Sequence, residues 1–294
     1  YDMSHLFSEC SSLESIKSLE NWNTQNVMTI DYLLNGCKSL INLEGLENWK
    51  ITNITDISCI FNNCSKLVSI KALEKWDTIS VTKMDYLCNS CSCLESIEGV
   101  ENWNTSQVED MSYAFNGCSS LSSISQLKNW NTSSVSDMSQ MFNGCISLLC
   151  TQGLEDWDTS KVTEMYYMFG DCQMLFFVQE LEKWNTSNVN NMSSMFEGCS
   201  SLLSVENLQN WDTSQVANMS SMFEDCSSLN SLDGLEKWDI TNLNDISQMF
   251  SGCSELTSVD VLKSWDTSNI EEASGGFNNT KIQSGPSNFN YSEY

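Results

Sequence analysis

The sequence is short of the residues on which catalysis and nucleic-acid binding depend. It holds one histidine, His5, one proline, Pro286, and 13 basic residues against 39 acidic ones, a formal net charge of −26. So acidic a surface repels phosphate backbones, which rules against nucleic acid as a direct partner, and it disfavours adsorption to anionic headgroups. No stretch approaches the ~20 consecutive apolar residues of a membrane span, and no signal-peptide pattern opens the chain. The apolar fraction of 40% is nevertheless enough for a core and too high for a disordered chain.

What the sequence has in abundance is a period. All ten tryptophans, Trp22, Trp49, Trp76, Trp103, Trp130, Trp157, Trp184, Trp211, Trp238 and Trp265, are spaced by 27 residues. Ten of the 14 cysteines keep the same step, from Cys10 and Cys37 to Cys253, and so do ten leucines, from Leu13 and Leu40 to Leu256. Three columns in register without an insertion define a solenoid of about ten coils.

Within a repeat the apolar positions run mostly in threes, as in Met111, Phe115, Cys118, Leu121, Ile124, Leu127 and Trp130. That spacing matches neither the strand period of two nor the helix period of 3.6, and it suits a coil turning around a narrow core. Leu121 to Ile124 reads as a short strand. Asp137 to Gly144 reads as a helical turn, with Ser139 able to cap it and Gly144 able to stop it. Trp130-Asn-Thr-Ser133 is turn chemistry, and the Asn/Asp alternation in its second position fits a side chain that bonds a nearby backbone N–H. Stacked about 4.8 Å apart, the strands would form a parallel sheet roughly 45–50 Å long. No coil buries its own face, so stability becomes a sum over neighbours.

The unit W-[ND]-T-S-x-V-x-D-M-S-x-M-F-x-G-C-S-S-L-x-S-[IVL] resembles the BspA-type leucine-rich repeat of bacterial and protozoan surface proteins, in the form known as the mycoplasma lipoprotein-associated repeat. Trp130 to Cys145, Trp184 to Leu202 and Trp211 to Leu229 carry the match, which covers residues 1 to about 277. Leu34 and Cys88 depart from the usual Phe, and Lys50-Ile51-Thr52 and Asp239-Ile240-Thr241 depart from the usual turn. The resemblance implies a leucine-rich-repeat-like right-handed coil, exposed on cells or secreted, that serves adhesion or protein binding. It carries no catalytic residues. The expected organisation is a solenoid over residues 1–277, its first repeat incomplete and without an N-terminal cap, followed by a cap or tail over 278–294.

Candidate sites are few. Successive cysteines of the column would stand near disulfide distance, but a repeated position among Leu and Phe reads as a buried free thiol. Cys88, Cys91 and Cys93 do not supply the paired spacings of a zinc site, and neither metal nor cofactor is expected. His5 stands alone without a nucleophile or an orienting acid, and reads as a surface residue of a protein that is not an enzyme. Glu20, Glu47, Glu74, Glu101, Glu155, Glu182 and Glu236 share one position, read as a solvated acidic stripe with calcium as the sharper alternative.

Asparagine-glycosylation acceptors occur at Asn53, Asn104, Asn131, Asn185, Asn191, Asn218, Asn278 and Asn290. Asn63 matches too, but Cys64 beside it belongs to the core. The strand face carries a serine row, Ser15, Ser69, Ser96, Ser123, Ser204, Ser231 and Ser258, that breaks once. Leu149, Cys150, Phe176, Phe177 and Leu203 put large apolar groups where other repeats carry polar ones, which marks an interaction patch unless Thr151, at a usual apolar position, signals local repacking.

Three functions follow. The leading one is adhesion or protein or glycan binding at a cell surface or outside the cell. A second is self-association, with coils stacking end to end into a filament or coat. A third is ice binding by the regular hydroxyls of Thr105/Ser106, Thr132/Ser133, Thr159/Ser160 and Thr186/Ser187.

Overall fold

The computed structural model describes residues 1–282. Isolated parallel bridges join residues one repeat apart along the chain, from Asp2 with Thr29 through Asp110 with Asp137 to Asp245 with Glu272. The chain is therefore a stack of coils, a repeat solenoid. Each coil presents the same residue above its counterpart in the next. The Trp, Leu, Phe and Cys columns line the interior, where Trp103 is 3% exposed and Leu121, Phe142 and Cys145 are fully buried.

Stacking gives the buried indole N–H and thiol groups partners in the neighbouring coil. Trp130 Nε1 donates to the Val100 carbonyl oxygen at 2.9 Å, and Trp184 Nε1 to that of Leu154 at 2.9 Å. Neighbouring indoles lie nearly parallel, with Trp103 and Trp130 centroids 6.3 Å apart at 4°. The cysteine column works the same way. Cys145 Sγ donates to the Phe115 carbonyl oxygen at 3.3 Å and Cys172 Sγ to that of Phe142 at 3.2 Å. All 14 cysteines are free thiols, and those of the column from Cys37 to Cys253 are buried. A small hydrophobe that can also donate suits this position, and serine's more polar hydroxyl would not.

Two local expectations are overturned. The stretch Leu121 to Ile124 forms no strand, and among the described residues the parallel sheet is reduced to single bridges such as Ser69 with Ser96 and Cys150 with Phe177. Leu121 N donates to Cys118 O in its own coil, and on this face single inter-coil bonds such as Phe176 N to Leu149 O at 3.2 Å tie the coils together. A segment squeezed between two tight turns has too few outward N–H groups for a ladder.

The other correction concerns Asp137 to Gly144, which is not a helical turn. Its backbone alternates: Met141 N and Asn143 N bond back to Met138 O and Gln140 O, whereas Gln140 N, Phe142 N and Gly144 N donate to Tyr166 O, Met168 O and Gly170 O of the next coil. Positive φ at Gln140, 56°, and at Gly144, 71°, turns every second N–H outward. Tyr113 and Tyr167 adopt the same left-handed conformation, which costs an L-residue about 1–2 kcal/mol. The gain is an inter-coil ladder with short bonds: Gly117 N to Asn143 O is 2.7 Å and Asp171 N to Glu197 O is 2.6 Å.

Over the first six coils a further pattern alternates two kinds of coil, and the Gly234 coil combines both, with glycine at φ 100° followed by the 3-10 helix Leu235–Lys237. Some pass from the strand face to Trp through a short 3-10 helix, as in Lys17–Asn21, Lys71–Leu73 and Ser125–Asn129. The coils between them carry a glycine, Gly45, Gly99 and Gly153, at φ of 110°, 106° and 107°. A Cβ on Gly153 would lie 2.7 Å from Ile124 O and 2.8 Å from Ser125 Cα, the backbone of the 3-10 coil below it. Glycine coils thus let a 3-10 neighbour approach closely. Gly153→Ala is expected to cost about 3 kcal/mol, from left-handed strain plus backbone overlap. Gly144→Ala, whose Cβ would come no nearer than 3.4 Å to Gly117 Cα, is expected to cost about 1 kcal/mol. Urea unfolding of the two variants gives the comparison, and equal losses would refute the close-approach role.

Candidate functional site

On the strand face the repeat changes character over three successive coils. Leu149 of the sixth coil is 43% exposed, Phe176 and Phe177 of the seventh 39% and 51%, and Leu203 of the eighth 40%. Cys150 beside them is half-buried. Phe176 N bonds Leu149 O, and Cys150 bridges to Phe177, so the sixth and seventh coils bring these side chains together, with Leu203 one repeat further along the column of Leu149 and Phe176. The Phe176 and Phe177 ring centroids are 6.5 Å apart at 42°. Ile146 and Met174, also exposed, join them through the Met174 N to Ile146 O bond at 3.2 Å. Sequence reasoning missed both, although each departs from a column otherwise rich in serine (Ser92, Ser119 and Ser200 for Ile146; Ser120, Ser147 and Ser201 for Met174). Thr151 does turn inward, fully buried, with Oγ1 donating to Glu180 Oε2 at 2.7 Å, and this does not draw its apolar neighbours in with it.

The charge along this face is graded. Lys17 pairs with Glu44 at 3.4 Å and Lys71 with Glu98 at 3.1 Å across the first four coils. Beside and beyond the patch the same position holds Glu206 and Asp233, both exposed, with no ion pair for either among the described residues.

The glutamate column has two roles instead of forming a single stripe. Where glycine occupies the turn, the glutamate two residues on caps it: Glu47, Glu101, Glu155 and Glu236 Oε2 accept the N–H of Gly45, Gly99, Gly153 and Gly234, each at 2.7 Å. Backbone N–H donation, with Lys128 at 3.5 Å, holds the Glu155 carboxyl below its ordinary range. Glu20, Glu74 and Glu182 lie in or beside 3-10 helices and are exposed. The signal that could have revealed the split is the Gly-x-Glu spacing, present only in the capped coils. Among the described residues no three His, Cys, Asp or Glu side chains gather as a metal site would require.

The hydroxyl array expected for ice binding does not exist. Thr105, Thr132, Thr159 and Thr186 are buried, and their Oγ1 atoms donate to the carbonyl oxygens of Asn131, Asp158, Asn185 and Asp212 in the next coil, at 2.9–3.0 Å. The methyl group packs inward and the hydroxyl closes the coil junction, leaving a water layer nothing regular to meet. Their serine neighbours Ser106, Ser133 and Ser187 are likewise occupied, each bonding the Oδ1 of the asparagine two residues back at 2.7 Å.

Of the candidate acceptors, Asn53, Asn104, Asn131, Asn185 and Asn278 are exposed. Asn191 and Asn218 are half-buried in the bridge column, with Oδ1 accepting from Ser193 and Ser220. Asn290 lies outside the described residues, as do residues 283–294 of the expected terminal segment. Lys281 of that segment bonds Leu256 O and pairs with Glu255 at 2.6 Å. His5 is exposed and stacks on Tyr32, ring centroids 4.6 Å apart at 12°.

Fold and site together define a repeat solenoid of the leucine-rich-repeat kind. The chain belongs to the family described as "Mycoplasma protein of unknown function, DUF285", whose model matches residues 1–98, 90–176 and 173–289. That agrees with the BspA-type resemblance read from the repeat. A comparison with curated proteins found no match. Among solved structures, a leucine-rich repeat protein from Bacteroides ovatus is 18% identical, with 79% of this chain and 75% of that one covered and a TM-score of 0.33. The leucine-rich repeat protein of T. pallidum is 18% identical over 75% of this chain and 80% of its own, with a TM-score of 0.39. One from Eubacterium ventriosum is 14% identical over 89% and 82%, with a TM-score of 0.38. No helix among the described residues is long and apolar enough to cross a membrane.

Proposed function

We propose that this chain is a non-enzymatic binding module, displayed at a cell surface or secreted, that holds a protein partner against its strand face. In this reading ten right-handed coils of 27 residues over 1–277 form a scaffold whose task is display. The binding residues are Leu149, Cys150, Phe176, Phe177 and Leu203. Asn53, Asn104, Asn131, Asn185 and Asn278 are the accessible places for glycan. The carrying observation is that large apolar side chains, two of them aromatic, stay exposed on three successive coils of a face that elsewhere is mostly polar, with Ile41 and Val68 as a smaller aliphatic pair. Clusters of that kind mark interaction sites, and aromatic residues dominate the energy of such sites.

The test compares the chain with the triple variant Leu149→Ser, Phe176→Ser, Phe177→Ser, which restores the polar residues found in the fifth coil at Ser122 and Ser123. Both proteins are passed over films of fibronectin and collagen and over a glycan array. Retention on a protein film that falls about tenfold in the variant supports the reading. Retention on glycans alone, or retention the variant leaves intact, would sink it.

A further inference from the structure

We infer that the occupant of this patch is a cationic amphipathic segment of the partner, a helix whose apolar stripe is flanked by lysine or arginine. The inference rests on the proposed binding role and adds to it the chemistry of what is bound. Three observations carry it. The patch spans three coils, about 10 Å along the stack, and the five residues from Ile146 to Cys150 across it, four steps that reach at most about 13 Å. Those dimensions match the ~10–12 Å width of one helix, and leave room for one or two anchoring side chains and not for a broad sheet.

Toward the following coils its border is acidic and unneutralised, while Gln152 and Gln179 hold the same position in its first two coils. Lysines of the strand face pair with glutamates in the first four coils, but Glu206 and Asp233, which follow the patch along the same position, have no ion pair among the described residues. Glu180 adds a carboxylate at the edge, held by Thr151. An apolar centre with such a rim attracts a positive rim around an apolar stripe, because complementary charge speeds encounter and fixes register.

The charge also argues against a second copy as occupant. Each chain carries a net −26, so pairing two patches would bring two strongly acidic surfaces together. Like charges juxtaposed at an interface are costly.

The probe is the synthetic peptide LKKLLKLLKKLLKL, labelled for fluorescence anisotropy. Its two controls place Glu for every Lys, or Ser for every Leu. The expected result is binding of the Leu/Lys peptide about tenfold tighter than either control, weakening as salt rises because exposed charges are screened. The double variant Phe176→Ser, Phe177→Ser, shown to be folded by an unchanged melting transition, should lose that advantage. Equal binding of the Lys/Ser control would overturn the inference, since it would report only adsorption to an acidic rod. Equal binding of the Leu/Glu control, or no effect of the double variant, would overturn it too. So would a dimer in light scattering that the double variant dissolves. If a protein film retains the chain through Phe176 and Phe177 while no peptide binds, the cationic occupant is wrong and the binding role stands. If neither probe depends on those residues, both fail.

Discussion

Raising the pH from 8 to about 10.5 is expected to unfold this protein completely, because its core is lined with thiols. Burial pushes Cys37 and Cys59 up to about 11 and Cys145 and Cys253 up to about 12. It also pushes Cys64, Cys88, Cys118, Cys172, Cys199 and Cys226 well above the ordinary thiol value. In the unfolded chain a thiol ionises near 8.5. Since the folded value is the higher, the folded chain binds more protons between the two. The stability these thiols contribute is whole below about pH 8.5 and is lost as pH rises toward 11–12. Each one removes about 1.4 kcal/mol per pH unit in that window, so several together exceed the 5–15 kcal/mol of an ordinary domain. Tyr32, raised to about 12 first by its bond to Cys59, acts in the same direction. Tryptophan fluorescence and thiolate absorbance at 240 nm, followed together, should change in one transition. Native fluorescence persisting at pH 11 would mean that the thiols are not buried as described.

The second large effect belongs to the tryptophans. Trp130→Ala is expected to cost about 4 kcal/mol, the usual range for deleting a buried aromatic. It removes a ring packed on Trp103 and on Phe115, both at 6.3 Å, and one of the two hydrogen bonds that the Val100 carbonyl oxygen accepts, the other coming from Trp103 N. Trp22→Ala should cost about half of that, since Trp22 is 43% exposed and its transfer and cavity losses are correspondingly smaller. Because each coil contacts only its neighbours, a lesion at Trp130 also lets the coils on either side unfold separately, and the urea transition should broaden into two. A single sharp transition with a loss below 1 kcal/mol would show that the indole column does not carry the stack.

What could be read from the sequence was burial. A column of Trp, Leu or Cys at a fixed step has to face the interior, and Trp130, Leu121 and Cys145 do. The apolar break at Leu149, Phe176 and Phe177 was legible for the same reason, as a departure from a column of polar residues. Backbone direction was not legible. Whether Gln140 N turns into its own coil or toward the next depends on the sign of φ, and glutamine, tyrosine and serine at that position give no hint of 54–58° as glycine would. The helical turn was misread on that account, and the strand because the tight turns on either side leave Leu121 to Ile124 too few outward N–H groups for a ladder. Thr132 was misread because an N-T-S turn looks solvated, while its hydroxyl is spent on the Asp158 carbonyl oxygen of the next coil. The two kinds of coil escaped because the glycine matters only through the coil beneath it, a contact 29 residues back between Gly153 and Ile124.

Hydrogen exchange on the chain, alone and saturated with the matrix protein that its film assay retains, bears most directly on the binding role. Slowed exchange confined to residues 146–150, 174–178 and 203–207, with the other coils unchanged, is the expected result. Protection spread evenly along the acidic face, or centred on coils without the apolar break, would contradict it.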